Sequence, residues 1–93
     1  MELKFFYSPG CPYCRQAEYL IGQLVKEHPE YGKIDIRRID ETRESAVAER
    51  YDYWYVPSFF LGEEKLYEAD SSDTEETVKK KLSDVLKKAE ESK

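Results

Sequence analysis

The chain has 93 residues, 40% of them hydrophobic and 14% aromatic, enough for one small folded domain with a modest core rather than a disordered tail. Charged residues reach 38% and the net charge is −5; that acidity argues against nucleic acid as a partner, because phosphate binding needs a clustered positive surface. No segment approaches the roughly 20 apolar residues that span a bilayer, and Met1 leads into an apolar run without a signal-peptide pattern, so a cytoplasmic monomer with no membrane partner is expected.

Leu3-Lys4-Phe5-Phe6-Tyr7 has strand propensity and stops at the turn cluster Ser8-Pro9-Gly10. A helix is predicted from near Pro12, since proline suits a first turn. Ala17, Leu20, Ile21, Leu24 and Val25 then mark one apolar face. The helix ends by His28, because Pro29 disfavours helical geometry in the residue before it. Tyr31-Gly32 reads as a turn, and Ile34, Ile36 and Ile39 as a strand with one buried face. Asp40-Glu41-Thr42 opens a second helix over 43–51, with Val47 and Tyr51 inward.

Tyr53-Trp54-Tyr55 is an aromatic loop, and Val56-Pro57 leads into a third strand, Ser58-Phe59-Phe60-Leu61. Gly62-Glu63 turns the chain back into a fourth, Lys65-Leu66-Tyr67-Glu68, as a hairpin. Asp70 to Asp73 is loop, with Ser72 and Glu75, or Asp73 and Glu76, as a capping box. The last helix shows Val78, Leu82, Val85, Leu86 and Ala89 on its apolar face. The order β-α-β-α-β-β-α predicts an α/β fold: a mixed four-stranded sheet flanked by helices on both faces, beginning with a parallel crossover and ending in an antiparallel hairpin. No repeat or linker divides it, so residues 1–93 read as a single domain.

Cys11-Pro12-Tyr13-Cys14 carries the chemistry. A C-x-x-C at a strand-to-helix junction, in a chain with two cysteines, reads as a redox dithiol. A reducing compartment gives a structural disulfide no role there. The first sulfur lies at a helix N-terminus, where unpaired N–H groups and the dipole favour negative charge. The second lies one turn on, within disulfide reach. One cysteine can attack and the other resolve.

Metal binding is the alternative, since two thiolates make half of a tetrahedral site. The lone His28 lies at the far end of the first helix, leaving a site shared between subunits or an iron–sulfur cluster bridged by a dimer. Pro57 at a strand start cannot donate to the ladder, which leaves a backbone edge open to a substrate strand. Tyr13 is placed to touch a bound thiol substrate. At least one of Tyr53, Trp54 and Tyr55 lines a groove beside Pro57, or else they form a partly exposed loop. Arg15 and the run Lys79-Lys80-Lys81 read as solvated charges, and His28 as a helix C-terminal charge.

This element order, with Cys11-Pro12-Tyr13-Cys14 at the first strand–helix turn and Val56-Pro57 before the third strand, resembles the thioredoxin superfamily over nearly the whole chain. Within it, the C-P-Y-C tetrapeptide and short length look like a glutaredoxin. The resemblance implies a thiol–disulfide oxidoreductase in electron transport and redox homeostasis, acting on disulfide-containing proteins with no bound cofactor. Glutathione or a thiol reductase would supply the electrons. It implies Cys11 as nucleophile, Cys14 as resolving thiol and a cis Pro57 facing them. The Val56 backbone would pair with the substrate, with Pro12, Tyr13, Tyr55, Asp70 and Ser71 around it.

Some positions depart from the glutaredoxin pattern. Ser8 stands where many members carry a lysine for the glycyl carboxylate of glutathione, and Tyr67-Glu68 where many have a glycine pair. Asp70, Ser71 or Ser72 remains for the γ-glutamyl end. Tyr55 replaces the usual threonine before Val-Pro. Glutathione binding is therefore expected to be weaker or differently arranged, with Arg37, Arg38 or Arg50 as substitute anion partners. Against plain thioredoxins, Phe5 replaces the buried acid, as is common in glutaredoxins. The second reading is a thioredoxin-like, protein-specific donor that does not use glutathione.

Overall fold

In the computed structural model, which describes residues 2–92, the first strand β1 (Leu3–Tyr7) runs through the middle of the sheet. That position explains its near-continuous apolar sequence, since a central strand is covered on both faces. Leu3 and Phe5 face one core, and Phe6 faces another with Ile39 and Phe60. The chain continues through α1 (Pro12–Glu27), a 3-10 turn over Pro29–Lys33, β2 (Ile36–Asp40), α2 (Ser45–Ala48), β3 (Ser58–Leu61), β4 (Glu64–Glu68) and α3 (Glu75–Glu91). The strand order is β2-β1-β3-β4. β1 and β2 are parallel, whereas β3 runs antiparallel to both β1 and β4. This is the expected mixed sheet of an α/β fold.

The larger core joins the α1 face (Ala17, Leu20, Ile21, Leu24) to the α3 face (Val78, Leu82, Val85, Leu86, Ala89) over Phe5, Phe59 and Tyr67. The smaller lies under α2 and the loop after it, where Val47, Ala48, Tyr51 and Tyr53 pack on Phe6, Ile39 and Phe60. A register shift between Phe59 and Phe60 leaves Leu66 as the extra residue of β4. Such a bulge reverses the alternation of side chains beyond it.

Three expectations need correction. The second helix is one turn, Ser45–Ala48, instead of 43–51. Asp40 ties up the chain before it by accepting from the Thr42 N–H and hydroxyl. After Ala48 the bonds shorten to i→i+3, from Arg50 N–H to Val47 O and from Tyr51 N–H to Ala48 O. Tyr31-Gly32 lies within the 3-10 turn Pro29–Lys33, and Ile34 caps that turn instead of joining β2.

The cap of α3 is Thr74, whose hydroxyl accepts from the Thr77 N–H at 3.2 Å, instead of Ser72 or Asp73. Ser72 is folded onto the Asp70 carboxylate, and Asp73 is taken by Tyr67 and Lys81. Thr74→Ala is expected to cost about 1 kcal/mol, read as a lower urea midpoint at unchanged slope. An unchanged midpoint would remove Thr74 as the cap. Among the described residues, no helix is long and apolar enough to cross a membrane.

Candidate active site

Where β1 ends, Ser8-Pro9-Gly10 reverses the chain, and Gly10 has φ 78°, a conformation that favours glycine. The Cys11 N–H returns to Ser8 O at 3.3 Å. Cys11 then caps α1: its backbone is extended and its Sγ accepts the Cys14 N–H at 3.3 Å. Pro12 fills the first helical position, where a missing N–H costs nothing. The peptide bond Val56–Pro57 is cis, and the Cys11 thiol donates to the Val56 carbonyl oxygen at 3.9 Å. Two turns distant in sequence, one before α1 and one before β3, therefore meet at the sulfur.

The two thiols are unlike. Cys11 is partly exposed, whereas Cys14 is buried, with 4% of its surface accessible. Burial pushes the Cys14 thiol up to about 12. Hydrogen bonding with Cys11 and the Cys11 and Glu41 charges add to this, against the Ser8 N–H, which lowers it. Raised and buried, Cys14 stays protonated near neutrality, so the partly exposed Cys11 sulfur is the one an alkylating reagent reaches first. Iodoacetamide at pH 7, read by peptide mass spectrometry, is expected to modify Cys11 first. Preferential labelling of Cys14 would reverse the assignment.

Beside the dithiol lies a groove of about 560 Å³, lined by Tyr13, Trp54, Tyr55, Val56, Glu68, Ala69, Asp70 and Ser71. It brings together Tyr13, Tyr55, Val56, Asp70 and Ser71 from the sequence-predicted set. Pro12 and Pro57 do not line it; the Pro57 ring is fully buried, and its carbonyl accepts the Ala69 N–H. The aromatic loop divides. Trp54 and Tyr55 are 85% and 68% exposed, whereas Tyr53 packs on Phe6 and donates to Glu41 at 2.7 Å.

None of the three arginines considered as anion partners lines this groove. Arg37 is held by Glu44 and Glu2, and Arg38 by both carboxylate oxygens of Glu18. Arg50 lines a separate hollow with Asp52 and Lys65. Ser8 belongs to a second cleft of about 390 Å³, on which Cys11, Cys14, Arg15, Glu18 and Arg38 also open. Among the described residues, no group of three or more His, Cys, Asp or Glu side chains is placed to hold a metal, so the dithiol supplies half a tetrahedral site.

Glu68 is the residue whose role sequence reasoning missed. Its Oε2 accepts the N–H groups of Trp54 at 2.6 Å and Tyr55 at 2.8 Å, and Lys65 donates to its Oε1 at 2.7 Å. Burial raises this carboxyl, but Lys65 and the two N–H groups outweigh burial and hold it below the usual range. No local pattern announces bonds across 13 and 14 residues; only the position opposite Ser58 on the hairpin hints at them.

Against known proteins, the family model described as Thioredoxin matches residues 3–88. A probable thioredoxin of Methanothermobacter marburgensis is 31% identical over 85 residues, which cover 81% of this chain and 98% of that protein. Among solved structures, the germline-specific thioredoxin Deadhead of Drosophila melanogaster superposes with a TM-score of 0.62 at 21% identity, covering 94% of this chain and 78% of that one. Thioredoxin 1 of Thermosipho africanus gives 0.59 at 18% identity, covering 96% and 98%. The fold, the partly exposed Cys11 with a buried Cys14 and the family match agree: this chain belongs to the thioredoxin family of thiol oxidoreductases.

Proposed function

We propose that this protein reduces disulfides in partner proteins as a thioredoxin-like electron donor and does not use glutathione. The observation that carries this reading is the groove beside Cys11. Its lining includes the carboxylates of Glu68 and Asp70 and no lysine or arginine. Glutathione carries two carboxylates, and an anionic ligand needs charge-assisted donors that this lining does not offer. Exposed aromatic side chains and an open backbone edge suit an extended protein segment.

The reaction is two exchanges. Cys11 Sγ, as thiolate, attacks one sulfur of the partner's disulfide. That S–S bond breaks, a mixed disulfide with Cys11 forms, and the other partner sulfur leaves as a thiolate and takes up a proton. Cys14 then gives up its proton and attacks Cys11 Sγ. The partner sulfur bound to Cys11 departs as a thiolate and takes up a proton in place of the one Cys14 lost, and a Cys11–Cys14 disulfide remains, two electrons having passed to the partner. A thiol reductase restores the dithiol.

The test is titration of the Cys14→Ser variant with reduced glutathione, followed by amide chemical shifts. No saturation is expected below about 1 mM. Tighter binding that maps onto Ser8, Val56 and Asp70 would return the protein to the glutathione-dependent reading.

A further inference from the structure

We propose that Glu68 is a positioning residue: braced by Lys65, its carboxylate clamps the loop before β3 and so sets the Val56 backbone edge on which a partner's disulfide segment docks beside Cys11. The proposal rests on the protein-disulfide reading above and deepens it.

Packing holds that loop at its two ends, where Tyr53 and Val56 lie against the smaller core. Between them, Trp54 and Tyr55 are exposed and belong to neither core. Hydrogen bonds hold this middle part. Lys65 Nζ donates to Asp52 O at 3.2 Å, and the Trp54 and Tyr55 N–H groups donate to one oxygen of Glu68. Ser58 Oγ donates to Tyr55 O at 2.5 Å, and the Ala69 N–H donates to Pro57 O at 2.9 Å. The first three depend on the side chains of Lys65 and Glu68.

The bulge makes this pair possible. Residues three apart on a regular strand point to opposite faces. With Leu66 extra, Lys65 lies opposite Phe60 and Glu68 opposite Ser58, so both point to the same face of β4, the face toward the loop. Lys65 can then donate to the oxygen that Glu68 does not give to the loop. The β3–β4 hairpin thereby transmits its rigidity to a segment without regular structure.

A held edge lowers the ordering cost when an extended segment binds. A small disulfide that meets only the Cys11 sulfur gains far less from it. Loss of the clamp should therefore change the ratio between two substrates, which a general loss of structure or thiol reactivity would not.

The experiment compares rate constants for oxidation of the pre-reduced full chain by insulin disulfides and by the neutral aryl disulfide 2,2′-dithiodipyridine. Glu68→Ala is expected to lower the insulin-to-aryl ratio about 10-fold. Glu68→Gln keeps an amide oxygen that can accept both N–H groups, and should restore most of the ratio. Lys65→Met should lower it by less than Glu68→Ala, and serves as the reporter should the alanine variant not fold. A ratio that stays at the wild-type value in Glu68→Ala, or in Lys65→Met where that is the reporter, overturns the clamp. A Glu68→Gln ratio as low as that of Glu68→Ala overturns the hydrogen-bonding account. Wild-type protein that reacts with the aryl disulfide but not with insulin overturns the protein-disulfide reading and the clamp with it.

Discussion

Cys11→Ser is expected to reduce disulfide turnover at least about 1,000-fold, the scale seen when a nucleophile is removed. A serine hydroxyl does not ionise near neutrality, and no other thiol can take over. Cys14 is buried, and that burial, which the substitution leaves in place, raises its thiol above the ordinary value. Cys14→Ser should behave differently. The first attack needs only the Cys11 sulfur, which is partly exposed and receives the Cys14 backbone N–H; that donor survives the substitution. The variant should therefore accumulate a stable mixed disulfide with a protein substrate, visible by intact mass, and stop there. A mixed disulfide trapped on Cys14 in the Cys11→Ser variant would exchange the two roles.

Phe59→Ala should cost about 3–5 kcal/mol, the usual range for deleting a buried aromatic ring. Phe59 is fully buried in β3. Its ring stacks on Phe5 with centroids 4.5 Å apart and leans on Tyr67 at 6.3 Å, where α1 and α3 close over the sheet. Small domains have only about 5–15 kcal/mol in total, so the variant should be largely unfolded at modest denaturant. Urea unfolding followed by far-UV circular dichroism measures it. A loss under about 1 kcal/mol would mean that the large core closes around the gap. The site depends on this ring indirectly, because β3 begins directly after Pro57.

The parts of the fold legible in the sequence share one property: their determinants are local. Gly10 and Pro29 bracket α1, five apolar residues at helical spacing define its buried face, and α3 repeats that pattern. The cis bond before Pro57 came from the family resemblance; proline makes such a bond possible without specifying it. Where neighbouring groups compete for the same side chain, local reading fell short. Asp40 has the composition of a helix start, yet its carboxylate folds back on Thr42 and delays the helix. Ser72 and Asp73 look like caps, but Asp70, Tyr67 and Lys81 engage them first.

The candidate site divides in the same way. Cys11, Cys14 and Tyr13 follow from the C-x-x-C motif and Tyr55 from the aromatic loop before Pro57, whereas Val56, Asp70 and Ser71 came from the family resemblance. Glu68 binds a loop more than ten residues away, through a bulge that no sequence pattern shows. The arginines were offered for charge alone, and geometry gives them to Glu2, Glu18 and Glu44 or to another surface.

The most direct measurement is the electron source. Reduction of insulin disulfides by the wild-type protein should be followed with NADPH and a thioredoxin reductase, and in parallel with glutathione and its reductase. A groove lined by Glu68 and Asp70 without a cation predicts turnover with the thioredoxin reductase and no acceleration over the uncatalysed rate with glutathione. Turnover driven by glutathione at an equal or greater rate would contradict the account.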